Sequence, residues 1–177
     1  MIKEYTELQS CPLKTGSSFV RPVQAFPERI KLNDPAISAM TDLTKVSVVS
    51  VRAKTSMDRA NAKMIRYGVR MLLVLDDADK VVGLVTATDI LGEKPMLFLQ
   101  DMGGTHADIM VRDIMTLQRE IEVLKLQDVQ GAKVGHVAAT LKQAGRQHAI
   151  VVEESGDGNH IVCGLFSSTQ IARQLGA

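Results

Sequence analysis

Few residues in this 177-residue chain combine in a pattern able to do chemistry. A hydroxyl and a carboxylate stand three positions apart at Thr86 and Asp89, near the end of the run Gly83-Leu84-Val85-Thr86-Ala87-Thr88-Asp89-Ile90. A second run, Gly164–Ile171, places Ser167 and Gln170 at the same spacing. Asp89 precedes the apolar pair Ile90-Leu91, where a short polar side chain can cap a helix. No G-x-S-x-G, HExxH, GxxxxGK[ST] or close Cys/His pair occurs, so the chain is not expected to be an enzyme. Asp101, Gly103-Gly104, His106 and Asp108 offer oxygen and imidazole ligands at a spacing that fits no metal motif, and the segment reads as a mobile loop without a metal. Cys11 and Cys163 lie 163 − 11 = 152 positions apart and outside any CxxC or Cys/His cluster. Both read as small hydrophobes of a reduced, cytoplasmic protein, and Met57, Met64 and Met71 as core filler.

Composition narrows the classes further. Lys+Arg 21 against Asp+Glu 20 gives a net charge of +1, which provides no basic field for nucleic acid. Aromatic residues are 3% with no Trp, too few for base-stacking platforms, so the core must come from Val, Ile, Leu, Ala and nine Met. No stretch approaches the ~18 apolar residues of a membrane span. Residues 1–37 hold four of the five prolines and the Gly16-Ser17-Ser18 run, which predicts a mostly extended N-terminal arm tied down by the domain surface or a second subunit.

The elements that would position Thr86 and Asp89 emerge from self-similarity. Met40-Thr41 and Val46–Val51 match Met115-Thr116 and Ile121–Leu126 at an offset of 75 (115 − 40). Met57, Ala60, Met64 and Gly68 match Val134, Val137, Leu141 and Gly145 at 77 (134 − 57), with helical spacing and a glycine suited to a C-cap. Leu72–Leu75 matches Ala149–Val152 at the same offset, each followed by an acidic pair, and Gly83–Ile90 matches Gly164–Ile171 at 81 (164 − 83). Thr55–Asp58 reads as a capping box, with hairpin turns at Asp77–Lys80 and Ser155–Asn159. Two copies of one unit follow, residues 38–94 and 112–177 joined by a linker over 95–111. Each copy alone exposes an apolar sheet face, so the copies should pack together.

Two tandem units that each open on Met-Thr and close on G-h-h-T-x-x-D-h resemble paired cystathionine-β-synthase (CBS) domains, the arrangement called a Bateman module. The resemblance covers about residues 37–175. It implies an α+β fold of two β-α-β-β-α repeats about a pseudo-twofold axis, with sheets packed together and helices outside. It also implies clefts for adenosine-containing ligands such as AMP, ADP, ATP or S-adenosylmethionine, and a homodimer. In the first copy, the implied ribose contacts are Asp89 and Thr86, and the adenine edge is Val69-Arg70-Met71, with Arg70 toward phosphate. In the second copy Ser167 keeps the hydroxyl, but Gln170 replaces the acid with a weaker acceptor. The edge Arg146-Gln147-His148 is more polar and could orient phosphates of a ligand held by the first copy. The bland alternatives are a capping-only Asp89, a strand-end Thr86, a solvated Arg70 and a half-buried structural His148. Two functions stay open: an adenine-nucleotide sensor of the energy-sensing, regulatory kind that signals to a partner protein, or a dimerisation scaffold with decayed clefts.

Overall fold

The computed structural model describes residues 12, 14, 15, 17, 18 and 29–176. Most of the expected N-terminal arm, and Cys11, lie outside the described residues. The chain runs through β1 (Thr41–Asp42), β2 (Ser50–Arg52), α1 (Met57–Tyr67), β3 (Met71–Leu75), β4 (Val81–Thr86) and α2 (Ala87–Leu91). It continues through α3 (Lys94–Met102), α4 (Val111–Ile114), β5 (Thr116–Leu117), β6 (Val123–Lys125), α5 (Leu126–Gln130), α6 (Val134–Gln143), β7 (His148–Glu154), β8 (His160–Ser167) and α7 (Ser168–Leu175).

Helix α1 forms because Ser56 caps it, accepting from the Arg59 amide, and because Met57, Ala60 and Met64 make one buried stripe. The cap is Ser56 itself, one position later than the box expected at Thr55–Asp58. The helix stops at Gly68, whose φ of 64° suits glycine; Gly145, at φ 62°, follows the end of α6 in the same way. The hairpin β3–β4 turns on Asp76, whose carboxylate accepts from the amides of Ala78 and Lys80.

Two four-stranded sheets result, in the orders β2-β3-β4-β5 and β1-β8-β7-β6. The leading strand of each repeat therefore joins the sheet of the other. Thr41 pairs with Leu165 and Asp42 with Gly164, while Thr116 pairs with Leu84 and Leu117 with Gly83. The exchange extends upstream: Ala36 and Ala39 are buried in the core built on α6 and β7, and Val111 and Ile114 in the core built on α1 and β3. Glycine makes the crossing possible. A Cβ at Gly83 would stand 2.6 Å from the Thr116 carbonyl oxygen and 2.9 Å from Met115 Sδ, and one at Gly164 would collide with the Met40 side chain. The Met-Thr and glycine positions of the motif are thus two sides of one contact, made twice.

The sheets pack face to face through Met71, Leu73, Ile150 and Val152, with helices outside, so the α+β architecture of two packed repeats holds. One register differs from the sequence alignment. Ser50 pairs with Leu73 and Val123 with Ile150, so β2 and β6 are related by 123 − 50 = 73 rather than 75. Helix α5, which has no counterpart between β2 and α1, takes up the difference. The linker also departs from a mobile loop: it carries α3, with Pro95 in its first turn.

Candidate functional site

Thr86 and Asp89 meet at the end of β4, where strand turns directly into helix. The Thr86 hydroxyl accepts from the Asp89 amide at 3.2 Å, and Asp89 Oδ2 accepts from the Thr86 amide and hydroxyl, both at 2.8 Å. The other oxygen, Oδ1, lies 2.6 Å from the Lys94 ammonium, which also donates to the Ile114 carbonyl at 3.1 Å. Asp89 therefore does cap its helix. Three of the about four acceptor positions of a carboxylate are filled, and the most exchangeable partner is the half-exposed Lys94.

Beside this pair opens a cleft of about 300 Å³, at the small end of ligand pockets. Its walls come from both repeats: Thr86, Thr88 and Asp89 from the first, and Arg146, Gln147 and His148 ahead of β7 from the second. Thr116 and Glu120–Glu122 close a further side. Arg146 is paired with Glu122 at 3.1 Å. His148 is half-buried and its pKa is lowered, first by burial and then by the charge of Arg70.

The residues singled out in the sequence are thus divided by the fold. Thr86, Asp89, Arg146 and His148 come together. Val69, Arg70 and Met71 do not line this cleft: Val69 packs on the α1 core, Met71 is buried between the sheets, and Arg70 is exposed, its carbonyl accepting from the Ala87 amide at 2.8 Å. The edge facing Asp89 belongs to the other repeat because each leading strand crosses over and carries the repeats into contact at this point. Ser167 accepts from the Gln170 amide at 3.5 Å, and Gln170 Oε1 accepts from the Thr41 hydroxyl at 3.3 Å, so the exchanged strand β1 occupies Gln170.

Lys94 was not legible as a partner of Asp89, since Gly92 breaks the helix between them. In the linker, Asp108 accepts from Thr105 and His106 lies 3.7 Å from Asp58, and no group of three metal-ligating side chains occurs among the described residues. Cys163 is buried, with its thiol pKa raised chiefly by that burial.

Residues 38–95 match the family model of the CBS domain. The fold of the chain is that of tandem CBS-domain pairs, and its second repeat resembles a CBS domain by fold alone. CBSX2 of Arabidopsis thaliana, solved in complex with AMP, is 23% identical with a TM-score of 0.54 over 80% of this chain and 94% of that one. The CBS domain pair of protein MJ0100, solved with 5′-methylthioadenosine and S-adenosyl-L-methionine, is 19% identical, TM-score 0.52, over 77% and 97%. A conserved protein from Pyrococcus horikoshii is 22% identical, TM-score 0.55, over 80% and 92%. No curated protein matches the chain. No helix among the described residues is long and apolar enough to cross a membrane.

Proposed function

We propose that the chain is a regulatory module that binds one adenosine-containing ligand in the cleft between its repeats. The observation that carries this reading is the joint wall: the hydroxyl–acid pair Thr86 and Asp89 faces Arg146, Gln147 and His148 of the other repeat. A ribose offers two vicinal hydroxyls, and Asp89 accepts them once Lys94 swings aside. A ligand held by both repeats stabilises one packing of the two sheets over others, and a partner protein reads that change. Complexes of CBSX2 with AMP and of the MJ0100 pair with methylthioadenosine and S-adenosylmethionine support the ligand class. The matching position in the second repeat, Gln170, carries no acid and is hydrogen-bonded by the Thr41 hydroxyl, which supports a single working site.

Calorimetry with adenosine, AMP, ATP and S-adenosylmethionine tests this. A hydrogen bond to a charged group is worth about 1.5–3 kcal/mol, so Asp89→Ala should weaken the bound compound roughly 10- to 150-fold. Absence of binding by the wild type, or equal binding by the variant, favours the scaffold reading. We also propose a homodimer, on the exposed Ile65, Leu91, Met96 and Leu97 of α1, α2 and α3. Light scattering that finds a monomer across the micromolar range contradicts it.

A further inference from the structure

We propose that Lys94 is a latch between the cleft and helix α3: a ribose that takes Asp89 releases the Lys94 ammonium and loosens the first turn of that helix. The proposal rests on the adenosine reading above and adds the regulation of that site. Lys94 is the first residue of α3, yet its side chain reaches back past Gly92 to Asp89 Oδ1 at 2.6 Å. The same ammonium donates to the carbonyl of Ile114, the last residue of α4, at 3.1 Å. One cation thus ties α2, α3 and α4 together. The N-cap of α3, Glu93, makes no side-chain cap bond, so the Lys94 contacts are the polar anchor of that end. Pro95 is buried, and Phe98 and Leu99 pack on the core of the first repeat, so α3 stays docked when the latch opens and only its first turn weakens.

Asp89 Oδ2 is held by the Thr86 amide and hydroxyl, so Oδ1 is the oxygen left for a ribose hydroxyl, and Lys94 stands on it. The Asp89 side chain is 12% exposed and the Lys94 side chain 45%, so Lys94 is the partner that yields to water. The ion pair opposes binding, and binding opposes the ion pair by the same factor. Helix α3 exposes Met96, Leu97 and Met102, which presents the change at the surface. At the repeat offset of 81 the position matching Lys94 is Leu175 (175 − 94), so the second repeat has no such latch.

Amide hydrogen exchange and calorimetry on the whole chain, with adenosine as an uncharged probe, test the proposal. The Leu97 amide donates to the Glu93 carbonyl across the first turn of α3 and is the reporter. In the wild type, adenosine should speed exchange at Leu97 about fivefold while the amides of β3 and β4 slow. Lys94→Met keeps an apolar stem and removes the ammonium. Without ligand it should already show the fast Leu97 exchange, and it should bind adenosine about fivefold more tightly with no further change at Leu97. Asp89→Asn breaks the ion pair but leaves the Ile114 carbonyl its donor, and without ligand it should speed Leu97 in the same way. Three results each overturn the latch while leaving the adenosine site standing: adenosine that binds the wild type but slows Leu97 with the rest, Lys94→Met with wild-type affinity, or Asp89→Asn with wild-type exchange at Leu97. If neither the wild type nor Lys94→Met binds adenosine, the site itself falls and the latch with it.

Discussion

The two repeats share their backbone plan and differ in what they place at the ends of β4 and β8. In the first, Asp89 accepts from the Thr86 amide and hydroxyl and meets the Lys94 ammonium. In the second, Gln170 occupies the matching position and takes the Thr41 hydroxyl of the exchanged strand. The contrast extends along the wall of the cleft. Where the first cleft has Asp89, Glu120 and Arg146, the positions related by the repeat offsets are Gln170, Lys45 and Val69. The apolar positions behave oppositely: Met57, Ala60 and Met64 are buried, and so are their counterparts Val134, Val137 and Leu141. Packing constrains both copies alike, since a lost core contact costs stability wherever it occurs. The same backbone thus ends its motif strands on side chains of different charge, Asp89 in one repeat and Gln170 in the other.

The largest expected difference between the repeats lies at the two crossing glycines. At Gly83 a Cβ meets backbone, the Thr116 carbonyl oxygen at 2.6 Å, as well as Met115. At Gly164 the three nearest atoms all belong to the flexible Met40 side chain, which can turn away. Gly83→Ala should therefore destabilise by about 3 kcal/mol and Gly164→Ala by about 1 kcal/mol in urea unfolding. Equal costs would mean that the strand crossings are mechanically equivalent. A smaller contrast is expected at the helix caps. Asp89→Ala removes two cap bonds and strands Lys94, at a cost of about 1 kcal/mol. Gln170→Ala keeps the Ser167 cap and should cost less than about 0.5 kcal/mol, measured in the same way.

The duplication, the two glycine-terminated helices and the hydroxyl–acid motif were legible in the sequence because each is local and recurs at a nearly fixed offset. The strand exchange was not. β1 and β5 are two residues long, and no periodicity in Met40-Thr41 or Met115-Thr116 tells which sheet they join. That Val69-Arg70-Met71 do not line the cleft beside Asp89 is illegible for the same reason: a cleft walled by two repeats cannot be read from neighbours along one. The register of β6 slipped by two because matching β-branched residues by type ignored α5, a helical turn inserted between strand and helix. Pro95, which fits the first turn of a helix, is the one sequence signal for α3 in the linker.

The smallest contrast concerns protons and separates His148 from its counterpart Met71. Burial, then the charge of Arg70, lowers the His148 pKa below its ordinary 6.5. The unfolded chain therefore takes up this proton before the folded one does. The stability associated with neutral His148 is fully present above the ordinary histidine range and declines as pH falls through about 6.5 toward the lower folded value. Met71 in the first repeat titrates nothing, so His148→Met, which restores symmetry across the sheet interface, should flatten the melting temperature between pH 7.5 and 5.5 relative to wild type. Arg70→Ala should flatten it partway, since it removes the second cause and leaves burial, and this partial effect should shrink in high salt. His106, His136 and His160 are exposed and common to all three proteins, so the differences between the curves isolate His148. A His148→Met variant with the wild-type pH dependence would show that burial at this edge does not hold the imidazole neutral, and would remove the contrast between the two repeats at that position.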